Sequence, residues 1–142
     1  METKTNWLAL LVSVIVGNLL GYLWYGKLFQ NLWMAGNGIT AEGDKMFKNG
    51  IEMSMSSLPM IVNTVTMFVY AYLMNWLVNK TGSWNLQAGL TLGAVIGIIH
   101  FFGIYTGNRF AGNPTSLSMV DGSFTLLLFV IMGGIIGAWR AK

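Results

Sequence analysis

Four long apolar stretches, roughly Trp7 to Tyr25, Leu58 to Val78, Leu86 to Thr106 and Phe124 to Trp139, restrict this chain more than any other feature. Each is close to the about 20 residues that, at about 1.5 Å rise per residue, carry a helix through a hydrocarbon layer of about 30 Å. They hold almost no charge. Hydrophobic residues make up 54% of the chain and charged residues 9%, where a soluble domain is about a quarter charged. This pattern predicts an all-α membrane protein, a four-helix transmembrane bundle with spans at about 6–25, 57–78, 86–107 and 122–140. Residues 1–142 then form one integral-membrane domain, because the spans leave no segment long enough for a second core.

The same composition excludes several classes of function. Cysteine is absent, which removes disulfides, thiolate metal sites and cysteine nucleophiles. A net charge of +3, scattered along the chain, is no footprint for nucleic acid, whereas the few basic residues at the ends suit a lipid surface. The first apolar stretch follows Lys4, but it is too long for a secretion signal and lacks a small-x-small cleavage site before Gly26. Lys4, Lys80, Arg140 and Lys142 fall on one side of the expected bundle and Lys27, Lys45, Lys48 and Arg109 on the other, so the positive-inside count is a tie. The side holding Lys4 has short segments and a single acid, Glu2, which points to both termini in the cytoplasm.

Within the first span, Asn18, Tyr22 and Tyr25 are spaced by four and three and share a face, beside a small-xxx-small pair, Gly17 and Gly21. Helix packing with interfacial anchoring accounts for this set, and the polar wall of a cavity is the alternative. Between spans one and two, Gly36, Asn37 and Gly38 mark a turn and Thr40 is placed to cap a helix. Met46, Phe47, Ile51, Met55 and Leu58 then recur at one, four, four and three, which predicts a short interfacial helix. Met46, Met53, Met55 and Met60 lack an accompanying histidine or cysteine and read as packing, with no metal site and no cofactor implied. In the second span, Asn63, Thr66 and Tyr70 lie on one face, and Asn63 needs a helix or water as neighbour because its amide would be unsatisfied in lipid.

The third span carries Gly89, Gly93 and Gly97, a run over which another backbone can approach closely, and Gly133 and Gly137 repeat the device in the fourth. His100, the only histidine, lies three residues after Gly97 and so points inward. An ionisable group inside a span is a functional candidate by default, although a neutral imidazole bonded to Asn63, a tyrosine or a carbonyl serves equally as structural glue. Asp121 stands where the last helix would need an N-cap, with Arg109 as its interfacial ion-pair partner across the loop.

Several short motifs in fixed order resemble one known family. They are Asn6-Trp7-Leu8-Ala9, Gly21 to Trp24-Tyr25, Trp33, the loop from Asn108-Arg109-Phe110 to Asp121-Gly122, and Met132-Gly133 to Gly137-Ala138-Trp139-Arg140. The resemblance is to the small bacterial membrane proteins catalogued as domain of unknown function seventeen sixty-one, and it covers essentially the whole chain. It implies a four-span prokaryotic protein of the inner membrane and brings no catalytic or binding residues with it. The chain departs from the family at the start of the last helix, where Ser123 and Phe124 stand in place of a tyrosine–histidine pair. An activity resting on that pair would be altered here.

Three functional classes compete. Enzymatic catalysis would need converging acids, bases or ligands, and one histidine with neither cysteine nor an acid inside a predicted span argues against it. A homo-oligomeric transporter of small molecules or ions would assemble through glycine faces and line its path with Asn18, Tyr22, Asn63 and His100. Small multidrug exporters have this size and span count, but proton-coupled export of that kind relies on an embedded carboxylate, which the predicted spans lack. A non-catalytic membrane module that binds an apolar or amphipathic small molecule, a lipid or a protein partner, or assembles with itself, demands least of these residues.

Overall fold

The computed structural model describes residues 5–139. Glu2, Lys4, Arg140 and Lys142, which enter the orientation count, lie outside them, as does the end of the last expected span. The first helix, α1 (Trp7–Leu23), opens on Asn6, whose side-chain oxygen accepts from the Ala9 amide at 3.1 Å and fills a position the first turn leaves open. It runs directly into a π-helical turn, Trp24–Leu28, closed by a 2.8 Å bond from the Phe29 amide to the Trp24 carbonyl. A short α2 (Gln30–Gly36) follows, then three strands, β1 (Ile39–Glu42), β2 (Lys45–Lys48) and β3 (Ile51–Glu52). Three long helices complete the chain: α3 (Leu58–Thr81), α4 (Leu86–Phe110) and α5 (Thr115–Ala138).

The helix expected from the spacing of Met46 to Leu58 is instead an antiparallel meander in the order β1-β2-β3, so the fold is helical with a small sheet rather than all-α. Thr40 pairs with Phe47 in this sheet and caps nothing. Turn chemistry decides against the helix. Asn49 and Gly50 both have positive φ (51° and 82°), and Asn-Gly between two strands is the strongest short hairpin signal. Gly43, at φ 59°, opens the preceding two-residue turn. An exposed Lys45–Glu52 ion pair at 3.0 Å ties β2 to β3 and is worth about 1 kcal/mol or less.

Helix α5 is the hub. Half of its apolar window is buried, against 17% for α4, and α1, α2, α3 and α4 all rest on it. Its seam with α4 is built from glycine. A Cβ at Gly89 would collide with the Gly133 carbonyl, at Gly93 with the Phe129 carbonyl, and at Gly97 with the Leu126 backbone. Gly137 in turn meets Asn85 and Gly89. The glycine face that the sequence offered to a second copy is therefore filled within the chain, and a homo-oligomer would need another surface. Gly17 packs on the other side of the hub, against Met67, Leu128 and Met132, while Gly21 faces the Phe124 ring.

Among the described residues four helices, counting α1 together with its π turn, are long and apolar enough to cross a membrane. Asn85 caps α4 by accepting from Ala88 at 2.9 Å, and Pro59 sits in the first turn of α3, where its missing amide costs nothing. The outward faces, Val65, Val69, Ile98 and Phe102 among them, are apolar and uncovered, as a lipid surround requires. Three spans begin close to where hydropathy placed them. The fourth begins at Thr115, seven residues before the expected 122, so Asp121 lies inside the helix and is not its N-cap.

These contacts set a stability prediction. Gly93→Leu should force α4 off α5 and lower the thermal midpoint in mild detergent by the equivalent of about 1–3 kcal/mol or more. Gly103→Ala should leave the midpoint unchanged or raise it, because open space faces that position and alanine favours a helix by about 1 kcal/mol. Circular dichroism melts of both variants check this.

Candidate functional site

Since α4 leans almost wholly on α5 and scarcely meets α3, a gap remains between α3 and α4 over the first half of α5. It forms a cleft of about 500 Å³. From α3 come Asn63, Thr66, Met67 and Tyr70, and from α4 Ile104, Gly107 and Asn108. Asp121, Phe124, Thr125 and Leu128 make the floor, and Tyr25 closes one end. Gly107 keeps the α4 wall thin, since nothing stands within 4 Å of the Cβ it lacks. A second hollow of about 510 Å³ at the start of α4, beside Ser83, Gln87 and Thr91, contains no charged side chain.

The charged end of the cleft depends on the π turn. Its first two residues put two consecutive side chains on two consecutive positions of α5. The Trp24 indole donates to the Val120 carbonyl at 3.0 Å, and the Tyr25 hydroxyl donates to Asp121 Oδ1 at 3.0 Å. Single π turns of this kind occur frequently at functional sites. Asp121 is six residues beyond Thr115, about 9 Å along the axis at about 1.5 Å per residue. The Thr125 hydroxyl is turned to its own helix, 2.9 Å from the Gly122 carbonyl. The Tyr25 ring stacks on Phe124 with centroids 5.0 Å apart, so the position at which relatives were expected to carry part of a tyrosine–histidine pair lines the cleft with a phenyl ring.

The expected pair of Arg109 and Asp121 does not form. Arg109 donates to the Asn113 carbonyl and lies over the Tyr105 ring at 5.7 Å, while Asn113 Nδ2 donates to Asn108 Oδ1 at 2.8 Å, so the basic residue is consumed in closing the α4–α5 turn. Two of the polar candidates do meet: Asn63 Nδ2 donates to Asn18 Oδ1 at 3.0 Å, and Asn18 Nδ2 donates back to the Val14 carbonyl at 2.9 Å. Thr64 adds a longer bond to the same Asn18 oxygen, 3.3 Å. Tyr22 is not part of the group. It is 64% exposed on the outer face, with Lys27 5.9 Å from its ring centre.

His100 is not bonded to Asn63. Its ring is edge-on to Tyr70 (5.9 Å) and tilted on Phe129 (4.9 Å), beside the deeper end of the cleft, and among the described residues it makes no hydrogen bond. Asp121, Thr125 and Asn108 are the members that sequence reasoning left out of the polar interior, whereas Tyr25 entered it only through the alternative reading of the Asn18–Tyr22–Tyr25 face as a cavity wall. The available signal was Pro114-Thr115, which suits a helix start and would have brought Asp121 inside the span. Asp121, Asn108 and the Tyr25 and Phe124 rings line one end of this cleft, and Met67, Leu128 and the Tyr70 ring lie deeper, an arrangement suited to holding a molecule with a polar head and an apolar body.

The asparagine bond should be measurable by itself. In a cycle of Asn18→Leu, Asn63→Leu and the double variant, unfolding in detergent should give a coupling of about 0.6 kcal/mol, the usual value for such bonds between membrane helices. Strict additivity would mean that the two amides do not support each other.

The family model described as "Protein of unknown function (DUF1761)" matches residues 8–137. No curated protein and no solved structure matches the chain. With nearly its whole length under that one model, the chain belongs to the family described as Protein of unknown function (DUF1761).

Proposed function

We propose that this is a four-span membrane protein that takes an amphipathic molecule into the cleft between α3 and α4 and holds it without covalent chemistry. The observation that carries this reading is the cleft itself: about 500 Å³, with Asp121, Asn108 and Tyr25 gathered at one end and Met67, Ile104 and Leu128 along the rest. The polar end lies where α1 and α4 finish and α3 and α5 begin, so a bound head group would sit near the membrane surface while its apolar body follows the groove inward. Among the described residues the cleft pairs one hydroxyl with one carboxylate, Tyr25 with Asp121, and no third group converges on that pair to complete a catalytic set, which leaves binding as the chemistry best supported.

One observation favours transport as a second reading. The embedded carboxylate that the predicted spans lacked is supplied by Asp121 once α5 is seen to begin at Thr115. A transporter would use the same cleft, and in sealed vesicles an imposed pH gradient would then drive uptake of the bound molecule. A binding module would show equilibrium occupancy with no such response.

Native mass spectrometry of the protein in a mild non-ionic detergent tests the cleft. The wild-type chain should carry a reproducible extra mass, and Gly107→Leu, whose Cβ meets nothing within 4 Å and whose side chain adds bulk to the cleft wall, should lose it. An extra mass retained equally by both would place the ligand elsewhere and end the proposal, and so would a bare wild-type chain.

A further inference from the structure

We infer that the occupant of this cleft is a lipophilic organic cation, an onium group on an apolar body, with its charge set against the Asp121 carboxylate and the neighbouring Tyr25 and Phe124 rings. The inference rests on the amphiphile-binding reading above and narrows it to one class of ligand. Charge gives the first argument. Among the described residues Asp121 is the one acid on the cleft wall, and no lysine, arginine or histidine lines it. The partner that Asp121 does have, the Tyr25 hydroxyl, orients the carboxylate without cancelling its charge. Among the described residues the one ion pair is Lys45–Glu52, far along the chain in the sheet. Arg109, adjacent to Asn108, is turned away to Asn113 and Tyr105. A carboxylate within a membrane span and without a counter-charge is costly, and a bound monocation relieves that cost.

The rings give the second argument. Tyr25, Tyr70 and Phe124 all line the cleft, with Tyr25 tilted on Phe124 at 5.0 Å and Tyr70 tilted on Phe129 at 5.0 Å. Aromatic faces beside a carboxylate are the means by which proteins recognise alkylated ammonium groups, since the ring quadrupole attracts a cation whose own surface is apolar. The apolar side chains Met67, Ile104 and Leu128 accept the body of such a molecule. An anionic amphiphile would meet Asp121 with like charge. A zwitterionic phospholipid would bring a phosphate to a wall that has no basic side chain. A ligand with a net positive charge satisfies all three observations.

Tetraphenylphosphonium and tetraphenylborate are nearly identical in shape and opposite in charge, so they separate the two ideas. Equilibrium dialysis of each against the whole protein in maltoside micelles, corrected for uptake by empty micelles, measures retention. The wild-type chain should hold the phosphonium at least about tenfold more tightly than the borate, the worth of about 1.4 kcal/mol of charge recognition. Asp121→Asn, which keeps an oxygen for the Tyr25 hydroxyl, should erase that preference, and Gly107→Leu should abolish retention of both. Equal retention of the two ions, lost in Gly107→Leu, would overturn the cation inference and leave amphiphile binding in place. Retention unaffected by Gly107→Leu, or none in the wild type, would overturn both. Should Asp121→Asn fail to fold, the phosphonium-to-borate ratio in the wild-type chain still decides the matter.

Discussion

Backbone meets backbone along the α4–α5 seam, and the remaining architecture depends on that contact. Between helices in lipid there is little hydrophobic gain to be had, so association relies on close packing and on polar bonds. Gly89, Gly93 and Gly97 let α4 lie directly on the Gly133, Phe129 and Leu126 backbone. That intimacy commits α4 to a single partner. Had α4 presented large side chains, it would have stood farther from α5 and reached across to α3. Because it is drawn onto α5, the space between α3 and α4 stays open, and the cleft is a by-product of the seam.

A different device places the charged end. Helix α1 approaches α5 from the opposite flank, and where it passes into the π turn Trp24 and Tyr25 reach successive α5 residues. The two hydrogen bonds to Val120 and Asp121 hold that irregular stretch of backbone against the hub. Farther in, the Asn18–Asn63 bond fixes α3 against α1 so that Thr66, Met67 and Tyr70 form the opposing wall. Packing, polar bonding and the site are thus one chain of dependence, running from small residues to an open groove to the groups that line it.

Hydropathy made four helices legible, and the glycine spacing made the packing faces legible, because both signals are properties of a single helix read along its length. What was hidden depended on relations between helices or on turn chemistry. Asp121 was taken to mark a membrane edge because it is charged, although the Tyr25 hydroxyl across the bundle allows it to sit a turn and a half inside. His100 and Asn63 looked like natural partners, but each found another: two aromatic rings for one and Asn18 for the other. In the 46–58 segment, helical spacing of five apolar residues competed with Asn49-Gly50, and the turn dipeptide won because those residues gain no buried face to reward a helix.

The hub of this bundle is made after the helices that rest on it. During synthesis α1 and α3 can pair as soon as both have entered the bilayer, since Asn18 and Asn63 supply their own bond, but α4 has almost nothing to hold until α5 follows it. Final assembly therefore waits for the C-terminal segment, with the glycine face of α4 exposed to lipid and to other newly inserted helices in the interval. For this protein, the vulnerable moment is the delay between the third helix entering the membrane and the fourth arriving to cover it.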